Sequence, residues 1–190
     1  MNENNVENKD FRQINFSEKG ISKGEYDSCK FINCDFSGVN LSNIAFIDCK
    51  FENCNFSMAK IKGTAFKDAK FKNCKLLGLT FNECDPFLLL LEFDTCHLNL
   101  SSFYKLVLKK IEFKNCTLHE VDFTETNLTN AKFENCDLTR AIFVNTILEK
   151  ADFSTSYNYS FDPEINRIKK AKFSKMGVIG LLGKYDIIIE

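Results

Sequence analysis

Residues 111–138 read IEFKNCTLHEVDFTETNLTNAKFENCDL, with large apolar side chains at Phe113, Leu118, Phe123, Leu128, Phe133 and Leu138. Two places before each later member stands a small or thin residue: Cys116, Val121, Thr126, Ala131 and Cys136. A period of five matches neither the 3.6 residues of a helical turn nor the two of an extended strand. It does match a square coil whose four sides take five residues each. On each side the large and the small residue point inward, and the other three face solvent or turn the corner.

Four fives make a coil of twenty, and that longer period runs through the chain. Phe11, Phe31, Phe51, Phe71, Phe93, Phe113, Phe133, Phe153 and Phe173 are spaced by twenty residues, except for twenty-two between Phe71 and Phe93. Cys34, Cys54, Cys74, Cys96, Cys116 and Cys136 keep the same spacing with the same slip. A fixed period held over most of a chain is the signature of a solenoid whose coils stack on one another. The coils are expected to pair as short parallel strands about 4.8 Å apart. Of the twenty Phe, only Phe87 and Phe161 fall off the five-residue grid, so nearly every ring is assigned to the core. Identical rings in successive coils are expected to nest face on edge. The small slot is limited by volume, which suits Cys, Ala, Ser, Thr and Val. Asn33, Asn53, Asn73, Asn115 and Asn135 precede the Cys ladder and suit a corner, since Asn tolerates turn backbone.

Three places break the grid. In the first coil, Lys19 and Gly24 fill small slots, which indicates a looser coil or cap. Residues 84–91 carry two extra residues and Pro86, which cannot donate a ladder hydrogen bond, so a bulge or kink dividing the rod is expected. The grid resumes there with Leu88 as an inward residue, and Leu89 and Leu90 point outward beside Ile47, Val107 and Ile147 as a candidate partner patch. At the end, Asn158 and Pro163 stand where large residues belong. Ser174 then opens a short helix through Leu182, and Asp186–Glu190 reads as a last strand. The expected organisation is a polar tail over 1–10, the coil over 11–173, and a cap over 174–190. A solenoid must cover its open end. Met176, Val178, Ile179, Leu181, Leu182, Ile187, Ile188 and Ile189 are more apolar than one cap needs, which favours an end-to-end homodimer.

Composition removes several function classes. The net charge of −1 over 190 residues gives no general attraction for nucleic acid. The six lysines Lys60, Lys62, Lys67, Lys70, Lys72 and Lys75 fall on different sides of the coil. No apolar run is long enough to cross a bilayer. Met1–Asp10 lacks the apolar core of a secretory signal, so nine free thiols in a reducing cytoplasm are expected. A cysteine ladder strung along a rod does not converge on one point as a metal site requires, and buried apolar thiols are inert. His97 and His119 are expected to face outward near each other. No phosphate-loop, nucleophile-elbow or zinc-helix pattern occurs, so neither catalysis nor a cofactor is expected.

Segments such as Cys49-Lys50-Phe51-Glu52-Asn53 and Ala131-Lys132-Phe133-Glu134-Asn135 resemble the repeat of the pentapeptide-repeat family over about residues 29 to 173. The resemblance implies an all-β solenoid: a right-handed quadrilateral parallel β-helix of about eight coils with a short C-terminal helical cap. Leu181-Leu182 followed by Ile187-Ile188-Ile189-Glu190 resembles the ending of the quinolone-resistance (Qnr-type) members. That likeness implies a dimeric, DNA-like rod that engages DNA gyrase or topoisomerase IV. The contact is then expected in the acidic stretch Glu112, Glu120, Asp122, Glu125, Glu134 and Asp137. The alternative reading is a general protein-interaction scaffold with an unrelated partner. No nucleic acid, membrane or small-molecule partner is expected.

Overall fold

The computed structural model describes residues 4–189 and forms the four-sided coil. Face 1 carries the Phe31 ladder, face 2 the Phe36 ladder, face 3 the Leu41 ladder and face 4 the Phe46 ladder. Nine parallel strands run along face 1: β2 (Asp10–Arg12), β4 (Lys30–Ile32), β6 (Lys50–Glu52), β8 (Ala69–Lys72), β9 (Leu91–Asp94), β10 (Glu112–Lys114), β11 (Lys132–Glu134), β12 (Asp152–Phe153) and β13 (Lys172–Phe173). Four run along face 4: β1 (Asn4–Glu7), β3 (Gly24–Asp27), β5 (Ala45–Ile47) and β7 (Ala65–Lys67). Faces 2 and 3 are held by single bridges such as Asp35↔Asn55 and Asp122↔Ile142. The register places like on like, with Phe31 opposite Phe51 and Phe113 opposite Phe133.

That register sets the ring geometry, and it differs from the face-on-edge expectation. Phe31 and Phe51 are parallel, with centroids 5.0 Å apart and planes at 13°. In-register strands give identical side chains the same direction at one strand spacing, so equal rotamers stack in parallel. Edge contacts occur instead between ladders, as for Phe103 and Phe113 at 78°. There the chain has turned a corner, and the two rings come from different faces.

The corners explain why the period is five. The residue two places after the large one adopts the left-handed conformation, as at Asn53 with φ 54° and Asn115 with φ 52°. Its N–H then donates to the next coil, Asn53 to the Lys72 carbonyl at 3.0 Å and Asn115 to Glu134 at 2.8 Å. The Asn135 amide also donates to Asn115 Oδ1 at 2.9 Å, so face 1 ends in a side-chain ladder. Other corners place Lys105, Glu120 and Arg140 in the same conformation. These residues carry a steric cost that the interlocking core and hydrogen bonds offset.

Four expectations are corrected. The segment read as a polar tail is strand β1 over Asn4–Glu7, and Val6 packs against the core; Met1–Glu3 lie outside the described residues. The first coil, expected to be looser, is not among these corrections: Phe11 and Ile21 are only half-buried, and Lys19 closes a short helix α1 (Phe16–Lys19), capped by Asn15, whose side chain accepts from Ser17 N at 3.0 Å. At the insertion the rod is not divided. Strand β8 pairs directly with β9, and Phe71 stacks on Phe93 at 5.5 Å. Faces 3 and 4 are disturbed: a 3₁₀ turn over Phe81–Glu83 interrupts face 3, strand pairing on face 4 stops at β7, and Leu88 occupies a left-handed corner, 64 % exposed. Leu89, read as outward, packs against the core instead, because the extra residues displace the inward position.

At the far end the coil also repairs itself. Asn158 is an exposed left-handed corner, and its neighbours Tyr159 and Phe161 supply the buried rings. The expected helix is two 3₁₀ turns, Gly177–Leu181 and Gly183–Tyr185, and 186–189 form no strand; Glu190 lies outside the described residues. Short 3₁₀ turns fit because Gly177 and Gly180 let the chain press onto Tyr159.

Candidate functional site

The small inward slot is a hydrogen-bonding position as well as a small one. Cys54 Sγ donates to the Phe31 carbonyl at 3.3 Å, Cys74 to Phe51 at 3.3 Å and Cys136 to Phe113 at 3.3 Å. Cys34 and Cys116 do the same to Phe11 and Phe93, and Cys96 to Phe71. Thr126 and Ser156 play this part where no sulfur is present, donating to Phe103 and Phe133. The slot therefore gives an inward carbonyl of the preceding coil an additional hydrogen bond; the Phe103 carbonyl, for instance, also accepts from Leu106 N at 3.1 Å. All nine thiols are buried and unbonded to one another. Burial pushes the Cys74 thiol up and takes Cys49 up to about 12. The interior thus carries structure, and the chemistry available to a partner lies on the outer faces.

The six acidic candidates do not come together. Glu112 and Glu134 lie on face 1, Asp137 on face 2 and Asp122 on face 3, while Glu120 and Glu125 stand at corners. Five of them have basic partners: Glu112 with Lys132, Glu134 with Lys114 at 3.5 Å, Glu120 with Arg140 at 3.5 Å, Glu125 with Lys105 at 3.6 Å, and Asp137 with His119 at 2.9 Å. Asp122 accepts from Thr124 N at 2.9 Å. Around these acids the surface is a mixed-charge lattice, built because positions twenty apart are neighbours and here carry opposite signs. His97 and His119 share face 2 but sit in different columns, and His97 Nδ1 is 2.9 Å from Thr117 Oγ1.

Asp137 is the most heavily hydrogen-bonded of these acids. Partial burial pushes its pKa upward, but Thr139, His119 and Asn158 outweigh it and hold the carboxyl at about 2. The Thr139 hydroxyl lies 2.7 Å from Oδ1 and the Asn158 amide 3.0 Å. No sequence pattern marked this acid apart from its neighbours, since the contacts come from three different coils.

Exposed apolar side chains include those at the insertion and those at the C-terminal end. At the insertion, Phe87, Leu88, Leu90 and Val107 face solvent, and Lys67 Nζ sits 5.7 Å from the Phe87 ring centre. At the C-terminal end the eight apolar candidates divide. Leu181 is buried on its own core and Leu182 half-buried. Met176 is 80 % and Ile188 89 % exposed, and Val178, Ile179, Ile187 and Ile189 are exposed as well. Lys184 ties this cap to the last coil through Asp162 at 2.8 Å and Glu164 at 2.6 Å. The Tyr185 hydroxyl donates to Glu164 at 3.0 Å. Among the described residues no group of acidic, His or Cys side chains is arranged to hold a metal, and no helix is long and apolar enough to cross a membrane.

Comparison with known proteins agrees with this geometry. The fold is similar to that of a trypsin-treated form of QnrB1, a plasmid-mediated fluoroquinolone resistance protein, at 16 % identity and a TM-score of 0.59. That likeness covers 98 % of this chain and 100 % of the other. HetL, a pentapeptide repeat protein involved in heterocyst differentiation regulation from the cyanobacterium Nostoc, aligns at 11 % identity and a TM-score of 0.57. It covers 89 % of this chain and 86 % of HetL. Likenesses at this identity show the fold alone. No curated protein matches the chain in sequence. The family described as a pentapeptide repeat region matches residues 24–87 and 88–157, two segments that meet inside the insertion. With square coils, inward Phe and small-residue ladders, and this match over more than half its length, the chain belongs to the pentapeptide-repeat family.

Proposed function

We propose that this protein is a non-catalytic binding rod that dimerises through its C-terminal end and presents its outer faces to a protein partner. The observation that carries the reading is the C-terminal end itself. Leu181 and the Lys184 ion pairs already seat the cap, so the exposed Met176, Ile187, Ile188 and Ile189 are not needed to cover the coil. Exposed apolar side chains concentrated in one short, seated segment fit an isologous contact with a second copy. Ile188→Asp is expected to convert the dimer to a monomer in light scattering with the melting temperature of the coil retained. A wild-type protein that is monomeric throughout overturns this part. Nine buried thiols, none in a disulfide, fit a reducing compartment, and we place the protein in the cytoplasm.

A narrower reading makes the partner a type II topoisomerase. It is supported by the fold shared with QnrB1 along the whole chain and by the apolar ending. The paired acids weigh against a continuous DNA-like strip and favour recognition by shape and mixed charge. The test is a DNA gyrase supercoiling assay with added protein, with and without a fluoroquinolone. Restored supercoiling in drug, or inhibition without it, supports the topoisomerase client. No effect at high excess assigns the rod to a different protein partner.

A further inference from the structure

Face 1 carries two outward columns of charge whose order has an unusual symmetry. The column before the Phe rungs reads Lys50, Lys70, Glu92, Glu112, and the column after them reads Glu52, Lys72, Asp94, Lys114. These residues line one shallow trough over Phe51, Phe71 and Phe93. Each column, read backwards, is its own charge inverse about the midpoint between Phe71 and Phe93.

From this we infer that face 1 is a self-association surface for a second copy of this chain, packed face to face with the rods antiparallel. A two-fold axis lying across the face keeps each column opposite its own counterpart and reverses the order of rungs. Lys70 then meets Glu92 of the second copy, Lys50 meets Glu112, Lys72 meets Asp94, and Glu52 meets Lys114. All four combinations are opposite in sign, and the axis generates each of them twice. A parallel arrangement about the rod axis places the column before the rungs on the column after them. At the two central rungs Lys70 would then meet Lys72 and Glu92 would meet Asp94, so it is disfavoured.

Two further observations support this register. Within the chain Lys70 pairs with Glu92 at 3.3 Å, Lys114 with Glu134 at 3.5 Å and Glu112 with Lys132, but Lys50, Glu52 and Lys72 form no ion pair among the described residues. Their charges are free to meet a partner. The two-residue insertion lies in the coil between Phe71 and Phe93, level with the proposed axis. Leu90, 54 % exposed and just ahead of β9, would lie near its own copy at the edge of the contact.

The match has a limit that fixes its strength. One rung further out Lys30 would meet Lys132, so the complementary overlap spans four rungs, about 19 Å at the strand spacing. Such a patch buries less than the roughly 800 Å² per partner of a stable complex. The association is therefore weak, concentration-dependent and screened by salt.

Sedimentation equilibrium of the full chain tests it. Association at low salt is expected to weaken strongly near about 0.5 M, where the screening length is only a few ångströms. The reversal Lys50→Glu with Lys72→Glu is expected to weaken it about tenfold or more. Asp94→Lys with Glu112→Lys does the same in a separate chain. Mixing these two variants restores association as a heterocomplex, because every reversed pair is matched again. Ile188→Asp leaves this contact unchanged, which separates it from the C-terminal one. Association of the Lys50→Glu, Lys72→Glu variant at wild-type strength, failure of the mixture to associate, or absence of salt-sensitive association overturns the inference.

Discussion

The rings of Phe113 and Phe133, twenty residues apart in sequence, lie parallel at 5.2 Å with their planes at 10°. Phe113 also meets Phe123 edge-on at 76°. Each ring thus belongs to a stack along the rod and to an edge contact around the coil, and is held from both directions.

Replacing Phe113 by Ala therefore leaves a cavity the rod cannot close. The expected loss is about 3–5 kcal/mol in denaturant unfolding, and Phe113→Leu retains more of the stability. A loss below about 1 kcal/mol would show that the stack is not continuous in solution.

The small slot should tolerate a donor and refuse bulk. In Cys136→Ser the hydroxyl can still reach the Phe113 carbonyl, as Ser156 does one coil on to Phe133, so the change is expected within about 1 kcal/mol. Cys136→Leu overfills the slot, at about 1–3 kcal/mol by thermal melts. In the native wild-type protein a thiol reagent is expected to label none of the nine buried cysteines rapidly, and all nine after unfolding.

Acid should loosen face 2 through Asp137. Its folded pKa is depressed to about 2, below the unfolded value, so its contribution is present above about pH 4 and is lost as pH falls toward 2. Asp137→Asn is expected to flatten the decline of stability across that interval, measured by urea unfolding at stepped pH. An unchanged decline would mean the carboxyl gains nothing from its partners in solution.

Two glycines should behave differently. A Cβ at Gly180 would lie 1.9 Å from the Tyr159 carbonyl oxygen, whereas one at Gly38 meets nothing within 4 Å. Gly180→Ala is expected to unseat the C-terminal turns and expose Leu181, raising protease sensitivity beyond Phe173. Gly38→Ala costs only the left-handed backbone strain, about 1–2 kcal/mol. Equal proteolysis of the two variants would show that the cap does not dock on Tyr159.

Sequence determined the coil because the five-residue grid is enforced by local chemistry repeated many times. Each rung needs one large and one small inward residue, and Phe31, Cys34 and their counterparts state this directly in the chain. The corner ladder was legible only where Asn marks it; Lys105, Glu120 and Arg140 adopt the same backbone with no residue signal, because neighbouring coils impose it. The breaks were legible as positions but not as outcomes. Whether Leu88 or Leu89 turns inward, and whether Tyr159 replaces Asn158, depends on how the displaced chain meets the coil beneath it. The outer charges lay furthest from sequence reading. Glu112 to Asp137 form an acidic stretch along the chain, but a quarter of each coil separates one face from the next. Only stacking at twenty-residue intervals decides that Glu112 meets Lys132, that Asp137 meets His119, and that the charges of face 1 form a self-complementary pattern.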